Sequence, residues 1–268
     1  MAHIITPEAE AILDQPITIH EKGFIRLVDY MGGDNRIVQS ARVSYGAGTK
    51  THRDDEKLIH YLLKNGHTSP FEQVILTFHC KMPIFIARQW LRHRTARVNE
   101  ISGRYSVMQA EFYIPHEDDI AIQSMNNKQG RSTKLSQQEA VTIQKLLKEE
   151  QEDAYTAYQD KLDNHNLARE LARINLPLSL YTEIYWQIDL HNLFHFLRLR
   201  MHSHAQKEIR DYAEAIFSVT QRVAPIACSA FQQYQLESIT LDAKERQELQ
   251  SVLEESKLSP ELYKKLFS

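Results

Sequence analysis

Val74, Leu76, Phe78, Cys80 and Met82 alternate with Ile75, Thr77, His79 and Lys81. A period of 2 held over nine residues places one row of side chains in a core and leaves the other on a more polar face. A chain with such a strand must build a sheet with one apolar face and then supply helices to cover it. The flanking residues agree. Ser69-Pro70 precedes the run, and Pro83 opens a helix expected from Ile84 to about His93. Cys80 falls in the apolar row and reads as a buried, inert thiol. Phe24 to Met31, bounded by Gly23 and Gly32-Gly33, reads as a second strand, and Glu111-Phe112-Tyr113-Ile114-Pro115 as a third.

Helical signals fill most of the rest. Thr6-Pro7-Glu8 starts a short helix, and Asp34 is placed to cap one running to Ser44, with 46–51 as a loop. Asp54 to Asn65 is amphipathic, with Leu58, Tyr61 and Leu62 on one side and Gly66 as its stop. His116 to Leu135 turns polar and reads as the mobile loop of the chain. Ser136 and Glu139 then form a capping box ahead of a long helix towards Leu162, whose acidic run Glu149-Glu150-Gln151-Glu152-Asp153 is a solvated face. Further helices are expected over Asn166–Ile174, Leu190–Met201 and Ala205–Val223. From Leu236 onward the chain is charged and helical in period, with Ser259-Pro260 starting a last helix. No linker or repeat divides the 268 residues. The expectation is one α+β domain, a mixed or antiparallel sheet flanked by long helices, with helix content well above half.

The densest chemistry lies just after the strand–helix unit. Arg92-His93-Arg94-Thr95-Ala96-Arg97-Val98-Asn99-Glu100-Ile101-Ser102-Gly103-Arg104-Tyr105 carries four arginines in fourteen residues. Guanidinium is a planar fork of donors that stays charged at any working pH, matched to phosphate or carboxylate. Gly103 lets backbone approach a ligand closely. The stretch therefore reads as an anion site with Glu100 as an acceptor, the alternative being a solvated basic turn. Gln89 and Arg92 are three apart and share a helix face, with Arg94 at the helix C-terminus. His67-Thr68-Ser69-Pro70-Phe71-Glu72 is either a Ser69/Glu72 helix cap or a ligand loop. On Leu190–Met201, Leu190, Leu193, Phe194, Leu197 and Met201 form the apolar stripe. His191, His195, Arg198 and His202 run beside it, and Arg200 lies on the other flank.

Exclusions narrow the chemistry. A net charge of −3 argues against a general nucleic-acid binder. No apolar run approaches membrane length and no signal-peptide pattern opens the chain, so a cytoplasmic protein without a membrane partner is expected. Two histidines at i,i+4 could hold a metal, but no HExxH and no nearby carboxylate complete a set, so no metal is assigned. There is no GxGxxG and no P-loop; a nucleotide cofactor must be held by side chains. Cys80 and Cys228 lack an electropositive setting and no GxSxG elbow occurs, so the chain offers no evident nucleophile. Electrostatic activation of a bound substrate remains.

The arginine motif resembles the signature of the flavin-dependent thymidylate synthases, commonly written RHRxxSxNExSxRY. Arg97 replaces the first serine, while Ser102, Arg104 and Tyr105 stand where the pattern has them. The resemblance runs from about Gly23 to about Ala224, leaving 236–268 as a helical extension. It implies reductive methylation of dUMP to dTMP, with methylenetetrahydrofolate as one-carbon donor and FAD, reduced by NADPH, as hydride source, without a cysteine nucleophile. It implies that Gln89, Arg92, Glu100, Ser102, Gly103, Arg104 and Arg173 surround dUMP, with Ser102 near the reacting pyrimidine and Arg200 approaching pyrimidine and flavin. Ser44, His67, Ser69, Glu72, Thr95, Leu199 and His204 match flavin-contacting positions, together with Arg92, His93 and Arg94. Asp189, His191 and His195 stand where some members have Asn, Arg and Asn. Members are similar in forming homotetramers with shared active sites. Two rival readings remain: a phosphate- or nucleic-acid-binding module built on Arg92 to Arg104, and a metallohydrolase built on His191, His195, His202 and His204.

Overall fold

In the computed structural model, which describes residues 5–45, 54–125, 129–253, 259 and 262–263, seven strands form two sheets. They are β1 (Ile17–Ile19), β2 (Gly23–Met31), β3 (Ile75–Pro83), β4 (Arg97–Glu100), β5 (Ala121–Gln123), β6 (Arg131–Lys134) and β7 (Tyr181–Asp189). The main sheet has the order β1-β2-β3-β7-β4, with every neighbouring pair antiparallel. The alternation along β3 is realised as expected: Leu76, Phe78, Cys80 and Met82 are buried, and the residues between them are only partly covered.

Its partner β7, absent from the sequence expectation, is the best strand in the chain. Tyr-Thr-Glu-Ile-Tyr-Trp-Gln-Ile-Asp places β-branched or aromatic residues at six of nine positions. Thr182, Ile184, Trp186 and Ile188 turn inward beside the apolar row of β3. The segment expected as a strand at 111–115 makes a single bridge, Phe112 to Leu180, and backbone bonds from Tyr113 N to Ser179 O and Tyr181 N to Glu111 O. Pro115 and the chain's turn away limit it to an extended stretch.

The helices are α1 (Pro7–Glu10), α2 (Asp34–Arg42), α3 (Asp55–Lys64), α4 (Ile84–Trp90), α5 (Gln137–Asp163), α6 (Arg169–Ala172), α7 (Leu190–Arg200), α8 (Lys207–Val223), α9 (Pro225–Phe231) and α10 (Ala243–Val252). Among the described residues α-helix accounts for fewer than half, below expectation, because short turns and the extra strands take the difference. Helices α3, α4, α7, α8 and α9 contribute the apolar residues that meet the inner sheet face. At its centre Trp90, Trp186 and Phe196 pack with ring centroids 4.8 to 5.1 Å apart. Full burial of rings this size is worth several kcal/mol of apolar transfer, on the order of 2–3 kcal/mol each. A smaller cluster of Met108, Phe112, Tyr158, Ala172 and Leu180 lies under α5.

Local expectations are adjusted by these contacts. Tyr61 is exposed, and Ile59 and Leu63 join Leu58 and Leu62 in the buried stripe of α3. Asp34 does not cap its own helix, whose N-cap is Gly33. Its carboxylate accepts from Ile226 N and Ala227 N at 2.8 and 2.9 Å, capping α9 from 192 residues away. The Ser136 capping box forms as expected, but Gln151 within the acidic run is buried and donates to Tyr113 O at 3.0 Å. The 46–51 loop lies outside the described residues, as do Asn126-Asn127-Lys128 and Pro260.

The polar stretch 116–135, expected as a free loop, carries the β5–β6 hairpin. Arg131 reaches from it to buried Glu208 on α8, donating from Nη2 at 2.6 and 2.7 Å, and Tyr113 Oη donates to the same carboxylate at 3.0 Å. Burial pushes the Glu208 carboxyl up, but the Arg131 hydrogen bonds and charge outweigh it and leave the group below its ordinary value. Removing one partner of a buried pair strands the other charge. Arg131→Ala is expected to destabilise the protein by about 3 kcal/mol, read from its urea midpoint, and adding Glu208→Gln should recover a measurable part. An unchanged midpoint in Arg131→Ala would mean that the hairpin is not held this way.

Candidate active site

Helix α4 stops at Trp90, earlier than the expected His93, because the indole is fully buried and the chain turns at Leu91-Arg92. Gln89 and Arg92 therefore do not share a helix face, and Arg94 is not at a helix end. The turn instead buries His93 against Phe196, with ring centroids 4.9 Å apart. Arg200, the last residue of α7, closes on this turn: its Nε donates to His93 Nε2 at 3.1 Å and its Nη2 to Gln89 O at 3.0 Å. Burial, then the charges of Arg200 and His195, push the His93 pKa down to about 4. The ring is neutral, accepting on Nε2 with its proton on Nδ1. Burial and the nearby Arg92 also lower the Arg200 pKa, and burial with Arg198, His191 and Arg200 lowers that of His195. Charge of one sign is thus concentrated around a neutral imidazole.

The N-terminus of α7 completes this first cluster. Asp189 caps it, accepting from Asn192 N at 3.0 Å and Asn192 Nδ2 at 2.7 Å. Thr95 Oγ1 donates to Asn192 Oδ1 at 2.9 Å, tying the motif to the helix. Arg92, Arg94 and Arg97 are exposed and have no hydrogen bond or ion pair among the described residues. Gln89 Nε2 donates to Gln206 Oε1 at 2.7 Å. His191 and Leu199 sit on the same helix, while His204 lies beyond it with its ring 4.9 Å from that of His202.

The motif then runs out along β4, an exposed edge strand paired with β7, which the sequence expectation did not contain. It delivers a second cluster. Glu100 accepts from Thr182 Oγ1 at 2.6 Å, and Ser102 Oγ from Arg104 N at 3.3 Å. A Cβ on Gly103 would stand 3.0 Å from Met108 Sδ and 3.1 Å from Arg173 Cδ, so this close approach favours glycine. Arg104 Nε donates to Glu170 Oε2 at 3.1 Å, and Arg169 Nη1 to Tyr105 O at 3.0 Å. Gly103, Arg104 and Arg173 are therefore neighbours around α6, with Ser102 bonded to Arg104 N and Glu100 turned to Thr182 on β7.

Ser44, His67 and the pair Ser69 and Glu72 lie on separate segments, outside both clusters. Ser44 is exposed in a 3-10 turn (Val43–Tyr45). Ser69 and Glu72 lie exposed on a 3-10 helix (Ser69–Gln73) whose N-cap is Thr68, so the Ser69/Glu72 capping box does not form. This turn packs on α7 through Phe71 and Phe194, and the His67 ring stacks on Tyr61 at 6.0 Å. No group of three or more His, Cys, Asp or Glu able to hold a metal occurs among the described residues. Asn192, Thr182, Glu170 and Gln206 were missed from sequence; only Asn192, three residues after a helix-capping Asp, left a local signal.

One consequence concerns acid. Between the ordinary imidazole value of 6.5 and the folded value of about 4, the unfolded chain takes up a proton that folded His93 refuses. Its contribution to stability is complete above this window and falls as pH drops through it. Proton NMR of the histidine ring resonances should show His93 flat from pH 7.5 to about 5; a midpoint near 6.5 would remove the Arg200-to-imidazole bond as drawn.

A family model described as thymidylate synthase complementing protein matches residues 26–226. The flavin-dependent thymidylate synthase of Treponema denticola is 60% identical over 245 residues, covering 90% of this chain and 91% of the relative. That of a Thermus thermophilus strain is 51% identical over 258 residues, 96% of this chain and 92% of the relative. Among solved structures, the UMP/dUMP methylase PolB of Streptomyces cacaoi, bound with 5-Br dUMP, superposes with a TM-score of 0.74 at 32% identity, covering 83% of this chain and all of PolB. The buried alternation of β3, the arginine motif carried by β4 and the match over most of the length agree: the chain belongs to the thymidylate synthase complementing protein family, that of the flavin-dependent thymidylate synthases.

Proposed function

We propose that the protein carries out reductive methylation of dUMP to dTMP, with methylenetetrahydrofolate as one-carbon donor and FAD reduced by NADPH as hydride source. The observation that carries this reading is the pair of arginine clusters at the two ends of β4. One gathers Gln89, Arg92 and Arg200 around neutral His93, and the other gathers Glu100, Ser102, Gly103, Arg104 and Arg173. Methylation of dUMP by PolB's class of enzyme, and the flavin in the names of the relatives, support the choice of substrate and cofactor.

The residues present fit a flavin dinucleotide. Arg92 and Arg94 have no internal partner among the described residues, so their donor forks are free for phosphate oxygens. Thr95 in the motif, Asp189 at the N-cap of α7 and His191, His195 and Leu199 on that helix would join them, with Ser44, His67, Ser69, Glu72 and His204 completing the proposed set. When bound, the flavin supplies hydride chemistry. Arg104 and Arg173 would hold the anionic nucleotide, with Ser102 and the Gly103 backbone beside the base. Arg200, oriented by His93 and Gln89 O, would place a fixed positive charge where negative charge develops on the pyrimidine carbonyl. Burial pushes both cysteine thiols far above their ordinary pKa, which supports a reaction without a thiolate.

The two clusters lie beyond opposite ends of β4, on a surface that one chain leaves open. We take the working form to be a homotetramer in which copies bring the clusters together, acting in the cytoplasm as a single-domain subunit without nucleic-acid or membrane partners. No described helix is long and apolar enough to cross a membrane.

The purified protein should show a visible flavin band that NADPH with dUMP bleaches anaerobically, and should form dTMP once methylenetetrahydrofolate is added. A colourless protein that does not bind added FAD would end this reading. Arg104→Ala should weaken dUMP binding by about 2–5 kcal/mol by calorimetry, whereas an unchanged dissociation constant in the folded variant would remove Arg104 from the substrate site.

A further inference from the structure

The inner row of β7 is apolar at Ile184, Trp186 and Ile188, and so is Met82, which stands opposite Thr182 on β3. Thr182 belongs to the same row and is only 2% exposed, yet it carries a hydroxyl. A buried hydroxyl needs an acceptor, and valine has the same shape with a methyl in its place and no such demand. The acceptor lies on the neighbouring strand: Thr182 Oγ1 donates to Glu100 Oε1 at 2.6 Å. Packing alone therefore does not account for the threonine, and its bond to Glu100 does.

Glu100 is the last residue of β4, and this is the one side-chain hydrogen bond that the strand makes among the described residues. Directly after it the chain leaves the sheet. Ile101 N donates to Glu183 O at 2.9 Å, and Ser102 O then accepts from Tyr105 N and Ser106 N at 3.1 Å as the backbone turns. That turn carries Ser102, Gly103 and Arg104. The Glu100 side chain is exposed and has no cation partner among the described residues. A long side chain on an exposed edge strand would otherwise sample several rotamers. With Oε1 held by Thr182, Oε2 is left as an acceptor at a fixed place beside the turn.

We infer that Thr182 is a positioning residue of the nucleotide site, whose hydroxyl holds Glu100 in one rotamer so that the free carboxylate oxygen meets an O–H or N–H donor of the bound nucleotide. Thr182 touches no ligand itself, being buried behind the strand, and acts through Glu100. A carboxylate repels phosphate, so Glu100 takes a donor of the sugar or base while Arg104 and Arg173 take the anion. The cost of fixing the Glu100 side chain is met when the protein folds, and less remains to be met when the nucleotide binds. Stability and affinity should then respond in opposite directions. Once the bond is lost, water can reach the exposed carboxylate, and a methyl suits the apolar row better than a hydroxyl without an acceptor.

The inference rests on the dUMP reading proposed above, and one set of measurements separates the two. Calorimetric titration of dUMP into the full chain with FAD added compares wild type, Thr182→Val, Thr182→Ser, Glu100→Ala and the double variant Thr182→Val/Glu100→Ala. Thermal midpoints are recorded alongside. Thr182→Val should raise the dissociation constant about tenfold, the scale of one hydrogen bond to a charged group, with its midpoint unchanged or higher. Thr182→Ser keeps the hydroxyl and loses the methyl, so it should bind within about threefold of wild type although its midpoint falls. In the Glu100→Ala background, adding Thr182→Val should change the constant by less than about twofold, because the group that Thr182 holds is gone. Should Thr182→Val not fold, Thr182→Ala takes its place in the comparison with Thr182→Ser. Wild-type affinity in Thr182→Val, equal losses in the Val and Ser variants, or the same loss with and without Glu100 would overturn the positioning role and leave the dUMP site standing. A folded wild type that does not bind dUMP would remove the site and this inference with it.

Discussion

Strand β7 is paired on both edges, to β3 over nine residues and to β4 over four, and the rest of the site depends on that double pairing. Its bond to β3 closes the apolar face under Trp90, Trp186 and Phe196. Its bond to β4 holds an otherwise exposed and polar strand in register, since Arg97-Val98-Asn99-Glu100 has no burial of its own to order it. Without β7 the motif would be the solvated basic turn that its composition also allows. With it, the clusters at the two ends of the motif stand at a fixed separation, and Glu100 is aimed at Thr182.

The electrostatics of the first cluster follow from the same packing. Burying Trp90 ends α4 and pulls His93 inward, where desolvation and Arg200 together keep the imidazole neutral. A protonated ring there would face Arg200 and His195 at close range. Neutral, it serves as an acceptor that fixes the guanidinium through Nε while Gln89 O fixes Nη2. Two acceptors on a planar donor leave little rotational freedom, so the remaining donor edge is set before any ligand arrives. Arg104 is held differently, through an exposed ion pair with Glu170, and such pairs contribute little net stability. It is the more easily redirected of the two.

The strand β3, the helices α5, α7 and α8 and the arginine motif were legible because each is written in local periodicity or in an unusual run of residues. What could not be read was set by contacts distant in sequence. Asp34 looks like a helix cap at its own position and instead caps α9, a choice made by the packing of α2 on α9. The stretch 116–135 looks mobile because it is polar, yet Arg131 finds Glu208 on α8 and Gln151 reaches Tyr113 O. Strand β7 carried a clear β signature but lacks a turn signal on its helix side, where Asp189 belongs to both strand and helix cap. Of the site residues, the contiguous Arg92–Arg104 set was visible, and the partners that aim it, Asn192, Thr182 and Glu170, came only with the fold.

A linear signature also hides direction. Residues 97 to 100 are adjacent in the motif, but on a strand their side chains alternate, so a one-residue step changes the face and a three-residue step changes it again. Arg97 and Glu100 consequently serve different surfaces although they belong to one pattern. The exchange of a serine for arginine at position 97 leaves the spacing of Glu100, Ser102 and Arg104 intact and alters the outer face instead. A neutral hydroxyl there asks nothing of whatever covers the sheet. A guanidinium adds an exposed positive charge to that face and leaves the bond between Glu100 and Thr182 unchanged.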